Sequence, residues 1–312
     1  MATTTFSAAP TNGASGTGTE IQSWVQAIHN SLIAIGMVQT SDTGQAVISS
    51  LTNPSGTVIS AGYEIWRFND ALQSTYPLYF KLEYGRGGAT SNPVMWLTVG
   101  KGTNGAGTIT GVVFPRMLLG YSGTTGWASS TAATGYASSD GGAMCAVFPF
   151  VGMTSVVSPP CFLIERARNV DGTPRGDALA VAASGGAGST YVTVAYMDWA
   201  TGVNAMSGAV ALVPYSVGGT VMGSGTSLAS GVIGPIIPAL ALVPGVVPWQ
   251  PLSVVAFPPG DVPATPATIH ALGSDRTYLP LPATAMKGWV KAISPSSSTP
   301  LEISGGIALL WE

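Results

Sequence analysis

The stretch "GKGTNGAG", Gly100 to Gly107, fits G-x-G-x-x-G through Gly100, Gly102 and Gly105, with Lys101 inside it. Such a loop cradles a nucleotide phosphate when it runs into a helix whose N–H groups face the anion. Here it runs into "TITGVVF", which has the composition of a strand, and no acidic residue follows about twenty positions on to hold a ribose. Asn104-Gly105 between two apolar runs is instead a hairpin signal. The spacing predicts a tight turn, with Lys101 as a solvated turn charge.

Other residues able to do chemistry are few. The two histidines, His29 and His270, lie outside any H-E-x-x-H pattern, and no G-x-S-x-G elbow exists. Fourteen acids are scattered, and nothing in their spacing marks a catalytic pair. Cys145 and Cys161 have neither metal spacing nor a disulfide framework. They read as two buried thiols, able to pair only if the fold brings them together. Arg175-Gly176-Asp177 matches an adhesion tripeptide, but "VDGTPRGD" is also a natural polar loop. The span Glu165 to Asp177 holds six charges, the densest cluster in the chain. It reads as a solvated hairpin tip, and as the first place to look for a charged ligand. On this inventory the chain is expected to be no enzyme and to hold no cofactor or metal. The remaining candidate is "YSGTTGWASSTAATGYASSDGG", polar, Gly-rich and nearly uncharged. Its Tyr121, Trp127 and Tyr136 give it the composition of a ligand-binding loop.

The elements that would position these residues are mostly strands. Residues 1–18 are small and polar and read as a flexible or partner-ordered arm. Thr19 and Gln22 form a capping box. Ile21, Trp24, Val25, Ile28, Leu32 and Ile35 follow at helical spacing, and Gly36 is placed to end the helix. This amphipathic helix docks either on its own domain or on copies of itself. In the second case Ile21, Trp24, Val25, Ile28 and Leu32 form an oligomer interface. His29 falls on its polar side.

From Gly36 onward the period becomes two. In "PLYFKLEYG", Phe80, Leu82 and Tyr84 point one way and Tyr79, Lys81 and Glu83 the other. Forty-one glycines and 23 prolines punctuate many short apolar runs. That pattern predicts a mainly β fold: a sandwich-like or barrel-like antiparallel structure with one N-terminal amphipathic helix and long irregular loops. Residues 19–111 form a helix-plus-β region for attachment or oligomerisation. Residues 112–312 form a β-rich region for lateral packing or host-facing contact.

Composition constrains the partners. Only 25 residues are charged, with a net charge of −3 and no basic run. A nucleic-acid surface is therefore not expected. A compact chain of this size exposes roughly 12,000 Å², so charges are spaced at about one per 480 Å². A free monomer that neutral would dissolve poorly, so much of the surface is expected to be covered by other chains. Residues 199–260 carry no charge at all. Within them, "LASGVIGPIIPALALVPGVVPW" is long enough to span a bilayer, but its four prolines argue for an extended arm. No membrane span is expected, and no signal peptide is apparent.

A resemblance rests on the Gly/Thr arm followed by "IQSWVQAIHNSLIAIGMVQTSDTGQ", "GYEIWRFNDALQSTYPLYFKLEYG" and "LTVGKGTNGAG". Together these resemble a recurrent tailed-bacteriophage virion protein over roughly residues 13–111. The resemblance implies a virion structural protein of the tail, baseplate or fibre apparatus, assembled in the host bacterial cytoplasm. Its partners would be copies of itself, with a trimer one option, and other virion proteins. It transfers no functional residues. A capsid decoration or head-surface protein is the second expectation. A carbohydrate-binding, receptor-binding module facing a host glycan is the third.

Overall fold

The computed structural model describes residues 1–8, 19–52, 59–87, 92–119, 133–148, 161–169, 171, 173–184, 192–199, 202, 204–207, 213–214, 233–234, 237–240, 254–257, 269–271, 276–280, 291–292, 301–302 and 306–311. Of residues 1–18, expected as a flexible or partner-ordered arm, Ala2–Ala8 form a strand, and residues 9–18 lie outside the described residues. β1 (Ala2–Ala8) is rich in Thr, which suits a pleated surface, and it pairs within the same chain.

α1 (Thr19–Ala34) follows. Gly36 ends it at φ +86°, with Gly36 N–H donating to Ile33 O and Met37 N–H to Leu32 O. This is a Schellman closure, and it satisfies carbonyls that the last turn would leave bare. Ile21, Trp24, Val25, Ile28, Leu32 and Ile35 are all buried in the core of their own chain. Two docking partners were open for this face, its own domain or, through the first five residues, copies of itself. In the structure the strands that follow cover these residues, because the wide apolar stripe matches an open sheet face.

The alternation read after Gly36 becomes an antiparallel meander. β2 (Val38–Gln39), β3 (Ile59–Arg67), β4 (Tyr79–Gly87), β5 (Asn92–Thr103) and β6 (Ile109–Leu119) pair in sequence order. Phe80, Leu82 and Tyr84 of β4 are fully buried. A second antiparallel sheet comprises β7 (Ala133–Ser139), β8 (Ala143–Val147), β9 (Cys161–Arg168), β10 (Pro174–Ser184), β11 (Val192–Asp198) and β12 (Asn204–Ser207), with β1 on the β7 edge. The two sheets share one core. Phe80 of β4 meets Phe162 of β9 at 6.1 Å between ring centroids, and Phe162 meets Phe148 at 6.1 Å. Such tilted pairs add about 0.5–1.5 kcal/mol beyond their burial.

β13 (Val213–Pro214), β14 (Ile233–Gly234), β15 (Ile237–Leu240), β16 (Val254–Phe257), β17 (Ile269–Ala271), β18 (Thr277–Pro280) and a terminal strand (Gly306–Leu310) form a third sheet. Its pairs are antiparallel except β14 with β17. Lys291–Ala292 and Leu301–Glu302 form a separate two-stranded pair. Trp311, just past the terminal strand, stands edge-on to Tyr136, on the face of the second sheet opposite the meander. The fold is thus mainly β, antiparallel and sandwich-like, with one α-helix among the described residues and no closed barrel. Side-chain burial across most of the uncharged 199–260 segment lies outside the described residues.

Candidate functional site

The glycine loop is a hairpin. β5 continues through Thr103, so Gly100 and Gly102 lie inside a strand. The connection is Asn104–Thr108, longer than the two-residue turn that Asn104-Gly105 predicts. Asn104 N–H donates to Thr108 O at 3.0 Å, while Asn104 Oδ1 accepts from the N–H groups of Ala106 (2.9 Å) and Thr108 (3.0 Å). That side-chain mimicry of a backbone turn widens the loop. Gly107 has φ +87°, and a Cβ there would lie 2.0 Å from Tyr63 Oη. At Gly100 a Cβ would sit 2.4 Å from Ile109 Cγ2. The glycines allow close approach within the protein, and β6 rather than a helix follows, so the geometry of an anion cradle is missing. Lys101 is a half-buried strand residue rather than a solvated turn charge; its Nζ lies 5.5 Å from the centroid of Trp199.

Asp42, which the sequence did not single out, gathers this hairpin. Its Oδ2 accepts from the hydroxyls of Thr40 (2.6 Å) and Thr103 (3.1 Å), and Gly107 N–H points at Oδ1 (3.4 Å). Slight burial pushes its carboxyl up, but these hydrogen bonds outweigh it and hold the group below its ordinary value. Lys81 completes the arrangement, donating to Gly107 O at 3.0 Å while resting 4.1 Å over the Tyr63 ring.

The cluster most like a reactive site lies beneath the helix. His29 Nδ1 is 2.6 Å from Glu64 Oε1, and Tyr84 Oη donates to Glu64 Oε2 at 2.7 Å. Gln39 Nε2 adds a longer contact at 3.4 Å, and the His29 ring stands edge-on to Trp66 at 5.2 Å. His29 therefore faces a buried acid rather than the solvent expected of the polar face. Burial, and then the Glu64 charge and hydrogen bond, push the Tyr84 hydroxyl well above its ordinary value. Among the described residues the trio has an acid–base pair, and no Ser, Thr or Cys is hydrogen-bonded to it. An open cleft of about 270 Å³ lies elsewhere, between Met1, Gly36, Asn69 and Asp140. The trio's geometry instead ties α1 to β3 and β4.

The charge cluster at Glu165 to Asp177 is only partly a solvated tip. Glu165 and Arg166 are fully buried. Arg166 forks onto Asp70 (Nε to Oδ2 2.5 Å, Nη2 to Oδ1 3.1 Å) and donates from Nη1 to Tyr76 O at 2.9 Å. Arg168 bridges Asp140 (2.6 Å) and Glu165 (2.9 Å). Arg175 and Asp177 pair with each other, and Gly176 is pressed against the Tyr76 ring, where a Cβ would have no room. The tripeptide is thus strand backbone, not a displayed loop.

Tyr136 is likewise not a loop residue. It sits buried in β7, opposite Thr5 and Val147, with its ring on Trp311. Tyr121 and Trp127 lie outside the described residues. Cys145 and Cys161 form no disulfide; they are fully buried thiols on one face of adjacent strands. Burial, with Cys145 beside it, pushes the Cys161 thiol well up. Among the described residues no group of three or more His, Cys, Asp or Glu is placed to hold a metal ion. No helix among them is long and apolar enough to cross a membrane.

No family model, no curated protein and no solved structure matches this chain.

Proposed function

We propose that this chain is a non-enzymatic structural subunit of a tailed-bacteriophage particle, placed in the tail, baseplate or fibre apparatus and working among copies of itself and other virion proteins. It assembles in the host cytoplasm. One observation carries the reading: an already small set of charges is spent inside the subunit. Glu64, Glu165 and Arg166 are buried, and Asp70, Asp140 and Arg168 are committed to them or to each other. Fewer charges are left to wet the outside, which suits a surface covered by neighbours. The reactive-looking groups serve as internal ties, which supports a structural rather than a chemical role. The resemblance over residues 13–111 supplies the setting.

Mass spectrometry and electron cryomicroscopy of purified, nuclease-treated particles test this. The expected result is many copies per particle at a symmetric position in the tail apparatus. Placement over the capsid shell would make the chain a decoration protein. Abundance in the lysate with absence from particles would overturn the reading.

A further inference from the structure

β1 is attached to its sheet as a plug is to a socket. It lies at the sheet edge and pairs with β7 from Ala2↔Ser139 to Ala8↔Ala133 without a register shift. Phe6 is its one large side chain. The ring packs 5.5 Å from Phe148 and fills a notch left by Gly135, where a Cβ would lie 2.1 Å from Phe6 Cζ. Monomeric proteins guard such edges with Lys, Pro or bulges. "ATTTFSA" has no charge and no proline. Residues 9–18, which join β1 to α1, contain three glycines and no charge. Ten residues can reach roughly 33–36 Å when extended. By contrast β7, the partner strand, lies more than a hundred residues further along the chain.

We propose that β1 is an exchangeable strand: it closes on its own β7 in a free subunit and on the β7 of a second copy when subunits are held side by side. Both forms make the same ladder and the same Phe6 contact, so only the tether and the local concentration separate them. A short tether gives an effective concentration in the millimolar range, so dilute chains close on themselves. Neighbours packed into an assembly reach comparable density, and exchange then links them. This inference rests on the assembly role above only for the setting in which copies meet.

Ser7 and Thr134 are directly paired and both exposed, and the native cysteines are fully buried. A full-length chain carrying Ser7→Cys and Thr134→Cys, oxidised with glutathione disulfide at about micromolar concentration, should close within itself. A mixture of Ser7→Cys chains and Thr134→Cys chains should form covalent heterodimers whose yield rises towards millimolar concentration and falls with Phe6→Ala. Thr3→Cys with Ser138→Cys, two pairs further along the same face and made with Cys145→Ser because Cys145 lies opposite Ser138, provides a second position should the first variant fold poorly. Ser7→Cys with Ser50→Cys, an exposed position off β7, gives the collisional background. Heterodimers at background level up to millimolar concentration, beside complete closure within the double variant, would overturn exchange. Failure of both double variants to close would overturn the β1–β7 socket itself. Either readout uses purified chain, so absence of the protein from virions would leave this inference standing.

Discussion

In the β2–β6 sheet, Arg116 lies half exposed over Trp96, 4.3 Å from the ring, with its Nε 2.9 Å from Glu83. In the β7–β12 sheet, Arg166 is sealed in the core and pins Asp70, 96 residues away. The two arginines make similar ion pairs in opposite solvents. The meander buries Glu64 on its core face, against His29 and Tyr84, and holds Arg116 with Glu83 on the other face, where Arg116 reaches water. The second sheet is buried on both faces along β8 and most of β9, so its charges must become links between layers. Position relative to water, not the presence of the pair, decides what each is worth.

The sharpest way to break this contrast is to remove one partner of the sealed pair. Arg166→Ala leaves Asp70 facing a low-dielectric gap and should cost about 3–5 kcal/mol, seen as a lower midpoint in urea denaturation. Arg166→Met, which fills the space without charge, should still be costly unless Asp70→Asn accompanies it. A midpoint equal to wild type for Arg166→Ala would mean that the two layers do not depend on this tie.

Trp24→Ala removes the largest helix side chain from the shared core and should cost about 3–5 kcal/mol. Circular dichroism and sedimentation separate two outcomes. Loss of folded structure follows from the burial of Trp24 in its own chain. Retained fold with lost oligomers would return the helix to an interface role and contradict that burial.

What was legible in the sequence follows the same division. The helix stripe, its Gly36 stop and the start of β4, where buried Phe80 and Leu82 alternate with half-buried Tyr79 and Lys81, could be read because they leave a period, whereas β5, buried from Val94 to Gly100, shows only as an apolar run before a turn signal. In β8, "AMCAV", both faces are buried, so there is no alternation to see. Tyr136 was read as part of a polar loop because its neighbours in β7 are Gly, Ala and Ser. Gly135 is small because the Phe6 ring packs against it. Glu165 and Arg166 looked like a solvated tip because charge density is local, whereas Asp70 is far away in sequence. The Glu64 trio had no signal for the same reason: His29, Glu64 and Tyr84 meet only once helix and sheet have packed.

Tyr84 offers a smaller effect with a pH signature. Tyr84→Phe removes a hydrogen bond to a charged acceptor and should cost about 1.5–3 kcal/mol near neutrality. The folded Tyr84 hydroxyl titrates above its unfolded value. The folded state therefore holds that proton more tightly, and the stability this contributes is complete below about pH 10 and is lost as pH rises through the folded value. Wild type should lose its advantage over Tyr84→Phe progressively in that alkaline range. A constant difference from pH 7 to pH 11 would mean that the hydroxyl is not held neutral by burial.

The smallest effect belongs to the exposed pair, and it sharpens the comparison most because one measurement applies to both arginines. A double-mutant cycle on Arg116 and Glu83, using alanine at each position, isolates the pair from the packing of either side chain. Arg116 keeps half its side chain in water, so the coupling should be under about 1 kcal/mol and should shrink as salt is added. The corresponding cycle on Arg166 and Asp70 should give several-fold more and little salt dependence, because salt cannot screen a pair it cannot reach. Glu83 is itself mostly covered, so Arg116→Ala alone will exceed the coupling by whatever it costs to leave that acid without its partner. Equal couplings in the two cycles would show that water penetrates the sheet interface around Arg166, and the sealed core would then need another account.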